Sequence, residues 1–198
     1  MPSAKSDLLD SIHGVFLSRG YDGATLTHLS RATSLSKAAL YHHFPAGKPE
    51  MARSLVHQAV SRLQTQAFGP LTHSAPPQAL TAFIDGFSSY VEHGESDCIL
   101  TIFGRYQTAH EDIDELKEQI TQQFIDWHAV LTTVFQSLGY KTKKADRAAH
   151  ALVANLYGTL LNAKMHHNPN LFVRGVKRIR KDMLTACKSD DALRTHNN

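Results

Sequence analysis

Ser36, Lys37, Ala38, Ala39, Tyr41 and His42 stand in one short stretch. Their types and order suit a surface that meets a phosphate backbone and the edges of bases. Ser36 can cap a helix that begins at Lys37, so the free N–H groups of its first turn point outward at an anion. Lys37, on that first turn, can donate to guanine O6 and N7. Ala38 and Ala39 allow close approach, and an alanine there can touch a thymine methyl. Tyr41 and His42, one turn on, can hydrogen-bond phosphate. Thr25 and Thr27, at the start of a preceding helix, can do the same from the other side, and Lys48 adds a cation just beyond. Leu40 and Phe44, four apart, should face inward and hold the segment against Leu29 and Phe16.

Other chemistries find less support. Thirteen histidines are present. The adjacent pairs His42-His43 and His166-His167 point apart on a helix, and no His-Glu-x-x-His occurs. His110 beside Glu111 and Asp112 could supply nitrogen and oxygen ligands, but surface or core histidines are the simpler reading, so no metal site and no cofactor are expected. The two cysteines, Cys98 and Cys187, exclude a disulfide scaffold and a Cys-rich zinc module. Cys98, followed by Ile99 and Leu100, reads as a buried apolar thiol. No nucleophile elbow, phosphate loop or dinucleotide fingerprint is present, so an enzyme is not expected.

These side chains must be positioned by helices. The chain has 198 residues, 42% hydrophobic and 20% charged, which excludes disorder and leaves enough apolar material for a core. Apolar residues return at three and four, and period-two runs of Val, Ile and Thr are missing. Leu8, Ile12, Val15 and Phe16 form a first stripe, closed at Gly20. A second short helix follows Thr25, Thr33-Ser34-Leu35-Ser36 breaks the pattern, and a third runs from Lys37 to Phe44. Pro49 suits the first turn of a fourth, which stops near Gly69-Pro70. Five more are expected over about 77–93, 97–109, 112–138, 142–167 and 170–188. The fold class is all-α: a helix-turn-helix unit over residues 1–48, then a helical domain over 49–198, about nine helices in total. The net charge of +3 is unevenly spread: residues 1–67 carry +3, residues 85–126 carry −8 and residues 164–198 carry +5. Such asymmetry suggests different partners for different segments, although solvated helix faces explain it equally. No run approaches the ~20 apolar residues of a membrane span. The N-terminal residues lack the apolar run of a signal peptide, so a cytoplasmic protein without membrane contact is expected.

The stretch from Thr25 to Lys48 resembles the signature of TetR-family transcriptional regulators. The resemblance rests on Thr25 opening the second helix, Ser36 before the third, Leu40-Tyr41-His42-His43-Phe44, and Lys48, preceded by Phe16, Gly20 and Tyr21. It covers roughly residues 8–55. Two departures stand out. The turn carries Thr33-Ser34-Leu35 where the family usually has Ala-Gly-Val, so Ser34 must tolerate a glycine's backbone. Three residues, Pro45-Ala46-Gly47, separate Phe44 from Lys48, as in the LmrA/YxaF-type branch.

The resemblance implies a homodimer on a palindromic double-stranded operator, usually a repressor released by a small-molecule effector. It implies that the fifth to eighth helices wrap the effector. Phe83, Phe87, Tyr90, Phe103, Tyr106, Gln123, Phe124, Trp127, His128 and Tyr157 are the candidate lining, though aromatics at helical spacing equally make core. It also implies a dimer face on the last two helices, with Leu156, Leu160, Phe172, Val176, Ile179 and Met183 as candidates, unless those stripes pack onto their own domain. The alternative reading is a ligand-binding helical protein that no longer binds DNA specifically.

Overall fold

The computed structural model describes residues 4–105 and 111–195, with side chains over 5–105 and 113–186. Tyr106 and His110, and the side chains of Glu111, Asp112 and Cys187, lie outside these limits. Nine helices run through the described residues, and no strand occurs among them. They are α1 (Ala4–Gly23), α2 (Leu26–Thr33), α3 (Lys37–His43), α4 (Lys48–Leu63), α5 (Pro76–Tyr90), α6 (Ile99–Gly104), α7 (Glu111–Ser137), α8 (Thr142–Met165) and α9 (Pro169–Thr195). A single π turn (Gln64–Phe68) and one helical turn (Pro70–His73) follow α4.

Local chemistry explains the breaks. Gly20 has φ +65°, open to glycine at little cost, and it ends the regular part of α1 where the sequence pattern stops. Ser34 takes the left-handed conformation, φ +56°, at the C-cap of α2. The turn is tied by side chains: Thr33 Oγ1 accepts from Leu35 N–H at 3.4 Å, and Ser30 Oγ donates to the Leu35 carbonyl. These bonds hold a non-glycine residue where its Cβ is strained. Ser34→Gly should therefore raise stability by roughly 1 kcal/mol, read as a shift in the urea midpoint at constant slope.

The chain forms two compact units. The first comprises residues 1–61 and 98–123, the second 62–97 and 124–198. This division does not coincide with the functional one expected at residue 48, because α4 and the segment carrying α6 pack with the first three helices. Ile12, Phe16, Leu29, Leu40, Phe44 and Met51 are fully buried in the first unit. Phe103 of α6 packs edge-on to Phe16 at 5.5 Å and to Tyr21 at 6.4 Å. In the second unit α5, α8, α9 and the π turn enclose a core rich in aromatic rings. Gly175 of α9 faces Thr159 of α8, and a Cβ there would collide with the threonine methyl. No helix among the described residues is long and apolar enough to cross a membrane.

Candidate nucleic-acid interface

The interface is built on two capped helices. Thr25 Oγ1 accepts from the backbone N–H of His28 at 3.3 Å, and Ser36 Oγ accepts from Ala39 N–H at 3.1 Å. Each cap satisfies a donor that the first helical turn leaves free and fixes where that turn begins. Ser36→Ala should cost about 1 kcal/mol of stability in chemical denaturation.

Burial orients α3. Leu40 and Phe44 are fully buried, as their spacing predicts. With that face anchored, Lys37, Ala38, Tyr41 and His42 are exposed, and Ala39 is half-buried. Tyr41 keeps 46% of its surface accessible. Thr27 is exposed on α2 and Thr25 at its cap. Beneath Tyr41 the turn after α3 closes through Gly47, φ +69°, whose N–H donates to the Phe44 carbonyl at 2.8 Å. A Cβ at Gly47 would press within 3.1 Å of the Tyr41 ring, so the glycine also seats that ring.

Lys48, expected to add a cation just beyond α3, is turned back onto the end of α1. Its Nζ donates to the Tyr21 carbonyl at 3.1 Å and sits 4.2 Å from the centre of the Tyr21 ring. Burial pushes its pKa down, and the Asp22 carboxylate partly opposes this. In this arrangement Lys48 ties the start of α4 to the end of α1.

A second clasp holds the same corner. Glu50 accepts from Ala46 N–H at 3.0 Å and from Lys5 Nζ at 3.1 Å. The backbone N–H of Ala46 holds the Glu50 carboxyl below its usual range, and the Lys5 ammonium adds to this. A carboxyl depressed in the folded state gives stability that is complete above its unfolded pKa and is lost as pH falls through the folded one. Glu50→Gln should thus remove part of the acid sensitivity of unfolding below the ordinary glutamate value of about pH 4.3. Denaturation curves for both proteins at neutral pH and across the acid range test this.

In the second unit the predicted aromatics separate. Phe83, Phe87, Phe124, Trp127 and Tyr157 join Phe68 and Phe172 in one chain of rings. Phe68 stacks on Trp127 at 4.6 Å, Phe83 meets Phe68 at 5.0 Å, Tyr157 meets Phe87 at 5.0 Å, and Phe124 bridges Trp127 and Tyr157. Trp127 Nε1 donates to Gln64 Oε1 at 3.2 Å. Tyr90 is buried under Arg62, whose guanidinium lies 5.7 Å from the ring centre. Phe103 does not belong to this set, because it packs in the core of the first unit on Phe16. Gln123 is half-buried at the last residue of that unit.

His128 also leaves the set. It pairs with Asp146 at 3.0 Å, and its ring lies 3.7 Å from that of His150. Asp146 and His150 belong to no motif, and only their spacing of four on one helix marks them in the sequence. Among the dimer candidates, Leu156, Leu160, Phe172, Val176 and Met183 are buried within their own chain, and Ile179 is half-buried. Their stripes are the inward faces of α8 and α9. Leu161 and Met165 of α8 are 53% and 69% exposed, and an open groove of about 560 Å³ is lined by Leu152 and Asn155 of α8 and by Ile179 and Met183 of α9.

Capped helices joined by a tight turn, with an exposed cationic and aromatic face on the second, define a helix-turn-helix DNA-binding protein. Residues 8–55 match the profile of bacterial regulatory proteins of the tetR family, and residues 76–176 match that of the LmrA/YxaF-like transcriptional regulators' C-terminal domain. The second match spans just over half of the chain, which therefore belongs to the LmrA/YxaF-like TetR family of transcriptional regulators, proteins that are not enzymes. The HTH-type transcriptional activator FasR of Mycolicibacterium smegmatis is 27% identical over 153 residues, covering 76% of this chain and 67% of that protein. The HTH-type transcriptional regulator LmrA of Bacillus subtilis is 20% identical over 159 residues, covering 80% and 85%. The fold is shared with the crystal structure of AibR in complex with isovaleryl coenzyme A and operator DNA. That match has a TM-score of 0.64 and 17% identity, over 81% of this chain and 85% of that one.

Proposed function

We propose that the protein is a cytoplasmic, homodimeric repressor that binds a palindromic operator and is released by a small-molecule effector. Residues 1–48 would contact DNA, and residues 49–198 would bind the effector and the second subunit. The observation that carries the reading is the polarity of α3, which buries Leu40 and Phe44 and exposes Lys37, Ala38, Tyr41 and His42. Lys37, Ala38 and Ala39 read bases, while Thr25, Thr27, Ser36, Tyr41 and His42 position the phosphate backbone. Lys48 acts through the α1–α4 corner it ties together.

The effector would lie among Phe83, Phe87, Phe124, Trp127 and Tyr157, whose rings favour an apolar or aromatic ligand. AibR, a protein of this fold, is in complex with isovaleryl coenzyme A and operator DNA in its crystal structure. The second subunit would pack against α8 and α9, which carry exposed apolar residues and an open groove. An effector that binds the DNA-incompetent state better would shift the dimer away from the operator.

Selection of bound duplexes from a random DNA pool, followed by affinity against salt, tests the reading. Enrichment of an inverted repeat bound far above bulk DNA is the expected result. A steep salt slope without an enriched site would mean backbone attraction only. That outcome would favour a helical ligand-binding protein that no longer binds DNA specifically.

A further inference from the structure

We propose that His128, Asp146 and His150 form a binding site for a divalent transition-metal cation of the imidazole-preferring kind, such as Zn2+, on the surface of the second unit. One ligand comes from α7 and two from α8. Asp146 and His150 are four residues apart, so their side chains leave successive turns on one face of α8. His128 reaches the same point across the helix pair. Its Nε2 lies 3.0 Å from Asp146 Oδ1, and the rings of His128 and His150 are 3.7 Å apart. One ligand atom from each of the three residues lies within 4.8 Å of the other two.

These spacings suit a metal. Bonds of 2.0–2.2 Å to imidazole nitrogen and carboxylate oxygen place neighbouring ligand atoms about 3.0–3.4 Å apart in tetrahedral or octahedral geometry. The His128–Asp146 separation already equals such an edge. The chemistry suits it as well. Two imidazoles and a carboxylate supply nitrogen and oxygen lone pairs at one point. His150 Nδ1 lies 3.1 Å from the Asp146 backbone carbonyl, and donation there would orient the ring and leave its other nitrogen as the ligand. Asp146 and His150 are 54% and 68% exposed, and His128 24%, so an ion enters from solvent and water completes its shell. Two nitrogens to one oxygen favour Zn2+, Ni2+ or Cu2+ over Mg2+ or Ca2+.

The test uses the full chain, stripped with chelator and titrated with Zn2+ against a chromophoric competitor. Co2+, with its visible d–d absorption, serves as a second probe. The chain has thirteen histidines, so the difference between variants is the informative quantity. His128→Ala and His150→Ala should each weaken the tightest equivalent by at least roughly 10-fold, the lower end of what even supporting partners of a metal site carry. His57→Ala, an exposed histidine in the first unit, should leave it unchanged. Zn2+ should raise the Tm of the parent protein and not that of His150→Ala. If an alanine variant does not fold, Asp146→Asn keeps the side-chain volume and should show the same loss. Equal affinity in parent and variants, or no equivalent tighter than a single surface imidazole provides, overturns the site.

Discussion

Lys37→Ala should flatten the base preference of the protein, and Tyr41→Phe should weaken its binding to every duplex alike. Lys37 sits on the first turn of α3 behind the Ser36 cap, at the part of a recognition helix that reaches base edges. A good contact to guanine O6 and N7 contributes about 1–3 kcal/mol of discrimination, so its loss should cut operator preference roughly 5- to 150-fold at that base pair. Tyr41 lies one turn further, over Gly47, with its ring exposed. Removing its hydroxyl deletes one hydrogen bond to phosphate, worth about 0.5–1.5 kcal/mol, or roughly 2- to 10-fold on specific and bulk DNA together. The tyrosine is uncharged, so the salt slope should stay the same, whereas loss of a lysine–phosphate contact lowers it by about one. Both side chains point away from the core, so thermal unfolding should hardly move. Fluorescence anisotropy on the selected operator and on scrambled duplexes separates the two effects. If neither variant changes operator affinity, α3 does not lie in the groove as described.

Gly86→Ala should have the largest effect on stability. Gly86 is buried on α5, and a Cβ there would overlap the Gln66 carbonyl oxygen and lie 2.7 Å from the Ala67 Cα. These are backbone atoms of the π turn, which cannot rotate out of the way as a side chain does. Overpacking against yielding neighbours costs 1–3 kcal/mol, and against backbone the upper end, about 3 kcal/mol or more, is expected. For a chain of this size that lowers Tm by roughly 6–12 °C. The same turn carries Phe68, stacked on Trp127, and Gln64, which accepts from the Trp127 indole. Displacing it should therefore also disturb the aromatic chain, visible as a change in the fluorescence of the single tryptophan. Gly14→Ala is the control. Nothing lies within 4 Å of its Cβ position, and an alanine in that helix should stabilise by roughly 0.5–1 kcal/mol. If Gly86→Ala behaves like the control, α5 and the π turn are not packed as closely as described.

Much of the first unit was legible in the amino-acid order, because its determinants are local. A threonine or serine before an apolar run, a residue forced into the left-handed region between two helices, and a pair of apolar side chains four apart act within one or two turns. Thr25, Ser36, Ser34, Leu40 and Phe44 all stand where that chemistry puts them. Proline and glycine did the same for the ends of the longer helices. Helical periodicity says which residues share a face, but not which neighbour covers it. That choice depends on contacts between segments far apart in sequence. It sends Phe103 to Phe16 rather than to the other aromatics, and turns Lys48 onto the Tyr21 carbonyl. It also buries the stripe from Leu156 to Met183 within its own subunit. His128 shows the distinction most directly. Asp146 and His150 are set on one face by spacing alone, but only the packing of α7 on α8 brings the third ligand to them.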